Sequence, residues 1–196
     1  MGALQISICP AVQCYLTFMR RRFMNEIFIR LLTMDDSDRL FKFEAENRSY
    51  FERIGLPRSK DYYNPALFQE ILEELVAEQE KDMHYMYLVL NVQDEVIGRV
   101  NLTDVIRGPL NKAELGYRIG EKHQGRGYAT MAVRFILEEA SLRHKLHRIE
   151  AGTSPENIGS QIVLIKNGFQ FVGKYNQYIL QGNHWIDSLL FENVLN

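Results

Sequence analysis

The stretch from Ala113 to Thr130 changes its hydrophobic period at a glycine-rich turn, and this change constrains the fold more than any other feature of the chain. Before the turn, Leu115, Tyr117 and Ile119 alternate with smaller or polar residues, which is the period of a β-strand. After the turn, apolar residues recur at helical spacing, namely Ala129, Ala132, Val133, Ile136, Leu137 and Ala140. The pattern predicts a strand, a tight turn and a helix in direct succession.

The turn itself, Gln124-Gly125-Arg126-Gly127, suits a phosphate group. A helix start presents unpaired N–H groups and a partial positive charge, and glycine lets a phosphate approach that backbone closely. The turn has neither a following Gly-Lys-Ser/Thr sequence nor the Gly-x-Gly-x-x-Gly spacing, which excludes a Walker loop and a dinucleotide fingerprint. The glycines alone leave a plain strand-to-helix turn open as the alternative.

Several motifs in order give the chain a family resemblance. The segment Gln124–Ala129 matches the Gln/Arg-x-x-Gly-x-Gly/Ala acetyl-CoA signature of the GNAT acetyltransferase superfamily. The preceding strand, Ala113–Ile119, resembles the fourth strand of that family. Downstream, Asn157 with Ser160, and then Lys166-Asn167-Gly168-Phe169, resemble its next helix and the turn into its sixth strand.

Within the superfamily, the chain is similar to the RimJ/RimL-like ribosomal-protein N-acetyltransferases from about Glu26 to the C-terminus. The resemblance implies an α/β fold with a mixed, mostly antiparallel sheet of about seven strands flanked by helices. Residues 24–196 are expected to form this domain, and residues 1–23 an extension outside its core. In the extension the apolar residues precede Arg20-Arg21-Arg22, the reverse of a signal peptide's order, so Met24 is the expected natural start. A small membrane or partner anchor is the alternative.

The resemblance implies acetyl-CoA as co-substrate. Backbone N–H groups from Gln124 to Ala129 would hold the pyrophosphate, and strand-edge backbone from Arg118 to Gly120 would pair with the pantetheine amides. Asn157 would bond to the cofactor, and Arg126 and Lys166 are candidates for its outer phosphates, with a solvated surface charge as the alternative for both. The expected cofactor-binding residues are Arg118, Ile119, Gly120, Gln124, Gly125, Arg126, Gly127, Tyr128, Ala129, Thr130, Asn157 and Lys166.

Acetyl transfer to an amine needs a base for the amine proton and is helped by an acid for the thiolate. Glu114 is the expected base, because it occupies the position where the histone-acetylating branch of the family carries its general-base glutamate. A strand-face salt bridge and a relay through bulk water are the alternatives. Many members place a tyrosine acid where this chain has Leu164. Ser160 matches a serine of the RimL branch and is the expected proton donor, with Tyr178 as a second candidate.

The RimJ/RimL-like resemblance implies the N-terminal α-amine of a protein, such as a ribosomal protein, as acceptor, with direct transfer in a ternary complex. A small-molecule amine and a non-catalytic acyl-CoA sensor are the alternatives. The net charge of −2 at pH 7 indicates no general attraction to nucleic acid or membrane. Cys9 and Cys14 are the only cysteines, which excludes a disulfide framework and a cysteine metal site and makes a cytoplasmic location the expectation. Monomer and homodimer are both left open.

Two further interpretations concern specificity and metals. In this family, the helices expected on either side of the segment Arg48–Asp61 flank the acceptor cleft, so this segment is expected to be a loop that shapes specificity. Aromatic residues near its ends are interpreted as core, namely Tyr50, Phe51, Tyr62 and Tyr63. His144 and His147 lie near a helix end without a third ligand at zinc spacing, and both are interpreted as surface residues.

Overall fold

The computed structural model describes residues 26–55 and 58–195, and the structural statements below concern these residues. The extension predicted over residues 1–23 lies outside them, as do Cys9 and Cys14. The expectation that Met24 is the natural start therefore stays a prediction.

Seven strands form one sheet in the order β1-β2-β3-β4-β5-β7-β6. The pairing of β4 with β5 is parallel and the other described pairings are antiparallel, which confirms the predicted mixed, mostly antiparallel sheet. The strands are β1 Ile27–Leu31, β2 Tyr85–Asn91, β3 Val96–Ile106, β4 Lys112–Ile119, β5 Arg148–Thr153, β6 Gln170–Gln181 and β7 His184–Val194.

Among the described residues, five α-helices cover the sheet. They are α1 Ser37–Glu46, α2 Arg48–Ile54, α3 Pro65–Glu80, α4 Tyr128–Leu142 and α5 Ile158–Lys166. Local signals fix several of their ends. Asn64 caps α3, since its side chain accepts a hydrogen bond from the Ala66 N–H at 3.0 Å and Pro65 fills the first helical position.

Each face of the sheet carries its own hydrophobic core. On β2, Tyr87 and Val89 belong to the core under α4 and α5, whereas Leu88 and Leu90 belong to the core under α1, α2 and α3. A strand buried on both faces explains the continuous apolar run of β2. On β4, Leu115 and its alternate neighbours face the α4 and α5 core, so the intervening residues face the α1–α3 side.

The strands β4 and β5 are paired over only part of their length. Their parallel register runs from Lys112 opposite Arg148 to Glu114 opposite Glu150 and stops there. On its other edge, β4 continues to pair with β3 as far as Ile119 opposite Gly98. The remainder of β4 therefore has one free edge, and a gap opens between β4 and β5 in the middle of the sheet.

The loop predicted over Arg48–Asp61 is wrong in its first half, where α2 forms. Arg48 and Glu52 face each other one turn apart with 2.8 Å between Nε and Oε1, which is a helix-supporting pair that the sequence already contained. The core interpretation of the aromatic residues holds for Phe51 and Tyr62, which are buried. Phe51 packs on Phe43 of α1, with 5.7 Å between the ring centroids.

The surface interpretation of His144 is also wrong, whereas His147 is exposed as expected. Helix α4 ends at Leu142, and the chain then turns His144 inwards. Its ring stacks on Tyr85 at 3.5 Å between centroids, and its Nε2 lies 2.8 Å from the Tyr87 hydroxyl. Burial, together with Arg143 and Arg107, lowers the pKa of His144 to about 4, so the ring is neutral at physiological pH.

Candidate functional site

The predicted phosphate turn has the conformation that its glycines allow. Gly125 and Gly127 have φ angles of 74° and 79°, in the left-handed region that favours glycine. Helix α4 begins at Tyr128, as its apolar spacing predicts, with Gly127 as its N-cap. Among the described residues, the backbone N–H groups from Gly125 to Thr130 have no acceptor. This row of donors at a helix N-terminus fits a diphosphate group.

The space above this turn is open. A Cβ atom added to Gly125 or Gly127 would meet no atom within 4 Å. Gln124 ties the turn to the end of β4, since its side-chain amide donates to the Ile119 carbonyl at 2.6 Å. Arg126 is exposed on the turn, and Lys166 ends α5 in a shallow groove against α4.

The gap between β4 and β5 continues from the turn into the sheet. Arg118, Ile119 and Gly120 lie at the end of β4, beyond the last pair with β5. An extended chain with amide groups can pair with such a free strand edge, as a peptide does in strand addition. The backbone that the family resemblance assigns to pantetheine offers such a free edge.

The N-terminus of α5 lies on the α4 and α5 side of this gap. Asn157 caps the helix, because its Oδ1 accepts a hydrogen bond from the Ser160 N–H at 3.0 Å. The Ser160 hydroxyl lies 2.8 Å from the Tyr117 hydroxyl, which also donates to the Ser160 carbonyl at 3.3 Å. Tyr117 therefore connects β4 to the N-terminus of α5.

Tyr117 is the site residue that the sequence interpretation missed. Its place in the strand alternation indicates only a core side chain, and nothing local to the sequence predicts its bond to Ser160. Burial raises the pKa of Tyr117, and the bond to Ser160 opposes this in part. The phenol therefore stays protonated at neutral pH and can orient the Ser160 hydroxyl or pass a proton to it.

Glu114 lies at the start of the gap, on the α1–α3 face of β4, and its side chain is exposed. Partial burial of its carboxylate raises the pKa of Glu114. The negative charges of Asp104 and Glu150 raise this pKa further, and the positive charge of Lys112 opposes them. Across residues 26–55 and 58–195, no ion pair involves Glu114, and Lys112 pairs with Glu150 instead. The salt-bridge alternative therefore has no support in the described part of the chain.

Tyr178 lies apart from the other candidate catalytic residues, Glu114 and Ser160. It is 56% exposed on the edge strand β6, where its ring lies 4.6 Å from that of Tyr175 in a tilted arrangement, and β7 separates its strand from β5. The tip of the β6–β7 hairpin nevertheless reaches the end of α2, on the α1–α3 side of the sheet. Gln181 donates to the Gly55 carbonyl at the end of α2, at 3.2 Å.

Two further observations concern metal binding and membrane crossing. No group of three or more His, Cys, Asp or Glu side chains within 26–55 and 58–195 could hold a metal ion. In the same part of the chain, no helix has the length and apolar character needed to cross a membrane.

Known proteins are similar to this chain in sequence. The chain is 36% identical to a probable N-acetyltransferase, YjcK of Bacillus subtilis, over 162 residues that cover 82% of this chain and 90% of that protein. It is 30% identical to the [ribosomal protein uS5]-alanine N-acetyltransferase of Escherichia coli over 168 residues, which cover 85% and 86% of the two chains.

Solved structures give the same result. RimJ of Mycobacterium smegmatis, in complex with CoA-disulfide, superimposes with a TM-score of 0.79 at 25% identity, covering 86% of this chain and 81% of that one. The ribosomal-protein-S5-alanine acetyltransferase of Vibrio fischeri has the same fold, with a TM-score of 0.83 at 24% identity over 88% and 95% of the two chains.

The sequence profile of the acetyltransferase (GNAT) domain matches residues 26–170. The co-substrate is acetyl-CoA. The chain belongs to the GNAT acetyltransferase family and is an N-acetyltransferase that transfers acetyl from acetyl-CoA to an amine.

Proposed function

We propose that the acceptor is the N-terminal α-amine of a protein, such as a ribosomal protein. The observation that carries this proposal is the state of Glu114, an accessible carboxylate without an ion pair in the described structure and with a raised pKa. An α-amine has a pKa of about 7.7–8, so roughly a tenth or more is already neutral at pH 7. A lysine side chain, with a pKa near 10.4, needs a much stronger base. The uS5-alanine acetyltransferase among the relatives supports the same acceptor class.

The two proposed catalytic groups lie on opposite faces of the sheet at the gap. Glu114 faces the α1–α3 side, and Ser160 lies with α5 on the other side. We infer that the acceptor amine approaches from the Glu114 side while acetyl-CoA lies in the gap, which favours direct transfer in a ternary complex. Acetyl-CoA supplies the activated acetyl thioester.

Each residue then has a definite role. Glu114 accepts the proton of the attacking amine, directly or through one water. Ser160 donates its hydroxyl proton to the leaving thiolate, and Tyr117 holds that hydroxyl at 2.8 Å and can replace its proton. Asn157, Arg126 and Lys166 stay proposed contacts to the cofactor, and Tyr178 stays a weaker candidate for the donor.

The proposed acceptor places the enzyme in the cytoplasm, where ribosomal proteins are made. A panel of peptides with free and blocked N-termini, incubated with acetyl-CoA, tests the acceptor. We expect mass mapping to find the acetyl group on the α-amine of Ser- or Ala-type N-termini. Acetyl groups found only on lysine side chains would refute the proposal, and turnover of small amines alone would favour the small-molecule alternative.

A further inference from the structure

Two guanidinium groups share one carboxylate on the α1–α3 side of the sheet, and a third guanidinium lies nearby. Glu44 of α1 is completely buried and accepts a hydrogen bond from Arg99 at 2.8 Å, while Arg118 lies 3.3 Å from its other oxygen. Arg58 adds a third positive charge over the ring of Tyr62, 4.9 Å from the centroid. The cluster therefore carries more positive than negative charge.

The strand register makes this imbalance costly. Arg99 on β3 and Arg118 on β4 are directly opposite each other, and like charges in that position repel. Burial lowers the pKa of Arg118. The charges of Arg99 and Arg58 lower this pKa further, and the attraction of Glu44 does not restore it. The Arg118 side chain is still 22% exposed, so a ligand can reach it.

An open strip connects this cluster to the proposed base. Glu114, Gly116 and Arg118 alternate along one face of β4. Gly116 leaves the middle of the strip empty, because an added Cβ there would meet no atom within 4 Å. At about 3.3 Å per strand residue, the Cα atoms of Glu114 and Arg118 lie roughly 13 Å apart.

We propose that Arg118 and Arg58 bind a carboxylate of the acceptor whose α-amine lies at Glu114. This inference rests on the proposed α-amine acceptor and names its chemical class, a peptide with an acidic side chain at its third residue. In an extended peptide the first and third residues point to the same side, with Cα atoms about 7 Å apart, which suits the strip. The carboxylate of a free amino acid lies too close to its own amine to reach both ends. A guanidinium binds a carboxylate through two parallel hydrogen bonds.

The test compares two C-terminally amidated peptides that begin Ser-Ala-Glu and Ser-Ala-Gln, with free serine as a third acceptor. The hydrogen bonds of a guanidinium to the peptide carboxylate correspond to a preference of roughly tenfold to a hundredfold in kcat/KM for the glutamate peptide. Added salt should reduce this preference. Arg118→Gln should bring the ratio of kcat/KM for the glutamate and glutamine peptides near one.

Arg58→Gln keeps the test valid if Arg118→Gln fails to fold, because Arg58 is exposed. It should reduce the preference in part. Arg53→Gln is the matched control, since Arg53 is a nearby exposed arginine that already has its own carboxylate, Glu121, at 2.7 Å. Its ratio should stay at the parent value.

Equal kcat/KM for the two peptides in the parent enzyme would overturn the inference and leave the proposed function intact. Free serine acetylated better than the glutamate peptide would overturn the peptide as the source of the carboxylate. Absence of α-amine acetylation on every peptide would instead contradict the proposed function itself.

Discussion

In Glu114→Gln, the side chain keeps its shape and loses its ability to accept a proton. The residue borders the gap at the last β4–β5 pair, and no described ion pair is lost with the charge. If Glu114 is the base, transfer should slow by about 10²–10⁴-fold, or roughly 2.7–5.5 kcal/mol of activation free energy. Affinity for acetyl-CoA should change little, because the phosphate turn and the free edge of β4 are untouched.

The pH dependence separates this role from a structural one. Only the carboxylate form accepts a proton, so the parent rate should fall as the pH drops through the raised pKa of Glu114. Glu114→Gln should lose this limb and keep only the ionisation of the acceptor α-amine near pH 7.7–8. The control is Asp104→Asn, which removes an exposed negative neighbour and should move the same limb to lower pH without abolishing turnover.

Stability should move in the opposite direction to activity. A raised folded-state pKa means that the carboxylate is less favourable in the fold than in the unfolded chain once the pH exceeds the unfolded pKa. Glu114→Gln should therefore keep or raise the Tm at pH 7–8, as measured by calorimetry. Full turnover in this variant, or a loss of activity matched by a fall in Tm, would refute the assignment of the base.

Three further predictions concern the cofactor turn, the proton donor and the extension. Gly127→Val should abolish acetyl-CoA binding in calorimetric titration, at a backbone strain cost of about 1–3 kcal/mol. Gly108→Val, at a glycine with a similar φ of 77°, is the control and should bind acetyl-CoA normally. Unchanged affinity of Gly127→Val would contradict the phosphate assignment. Tyr117→Phe should lower kcat about as much as Ser160→Ala, and the double variant should lose little more, because the two hydroxyls form one unit; additive losses in kcat would show that they act separately. A chain that begins at Met24 should be soluble, folded and as active as the full chain, and a failure to fold would show that the preceding residues pack into the domain.

Local signals predicted the elements whose ends depend on nearby residues. Helix α5 begins after Asn157 and ends at Lys166, where the cap and Gly168 place it, and the phosphate turn has its left-handed glycines. Helix α2 was missed because it is short, and its one apolar anchor, Phe51, reads equally well as a buried loop residue. The inward turn of His144 was also missed, since its partners are on β2, far away in the sequence.

The site needed contacts between distant segments. The sequence predicted Glu114 on a strand and Ser160 on a helix, and both elements are confirmed. It could not predict that Tyr117 bridges them, because the bond depends on how far β4 separates from β5. The shared use of Glu44 by Arg99 and Arg118 is equally invisible in sequence, since α1 is brought there only by packing.

The short pairing of β4 with β5 leaves a seam through the middle of the sheet. At this seam, only three residue pairs between β4 and β5 join strands β1–β4 to strands β5–β7. A cofactor chain that lies along the free edge of β4 would add the missing hydrogen bonds. At a concentration 100 times its Kd, such a ligand stabilises the folded state by about 2.7 kcal/mol. Proteases that attack transiently opened chains would then remove the enzyme faster when acetyl-CoA is scarce, so its lifetime in the cell would follow the supply of its own co-substrate.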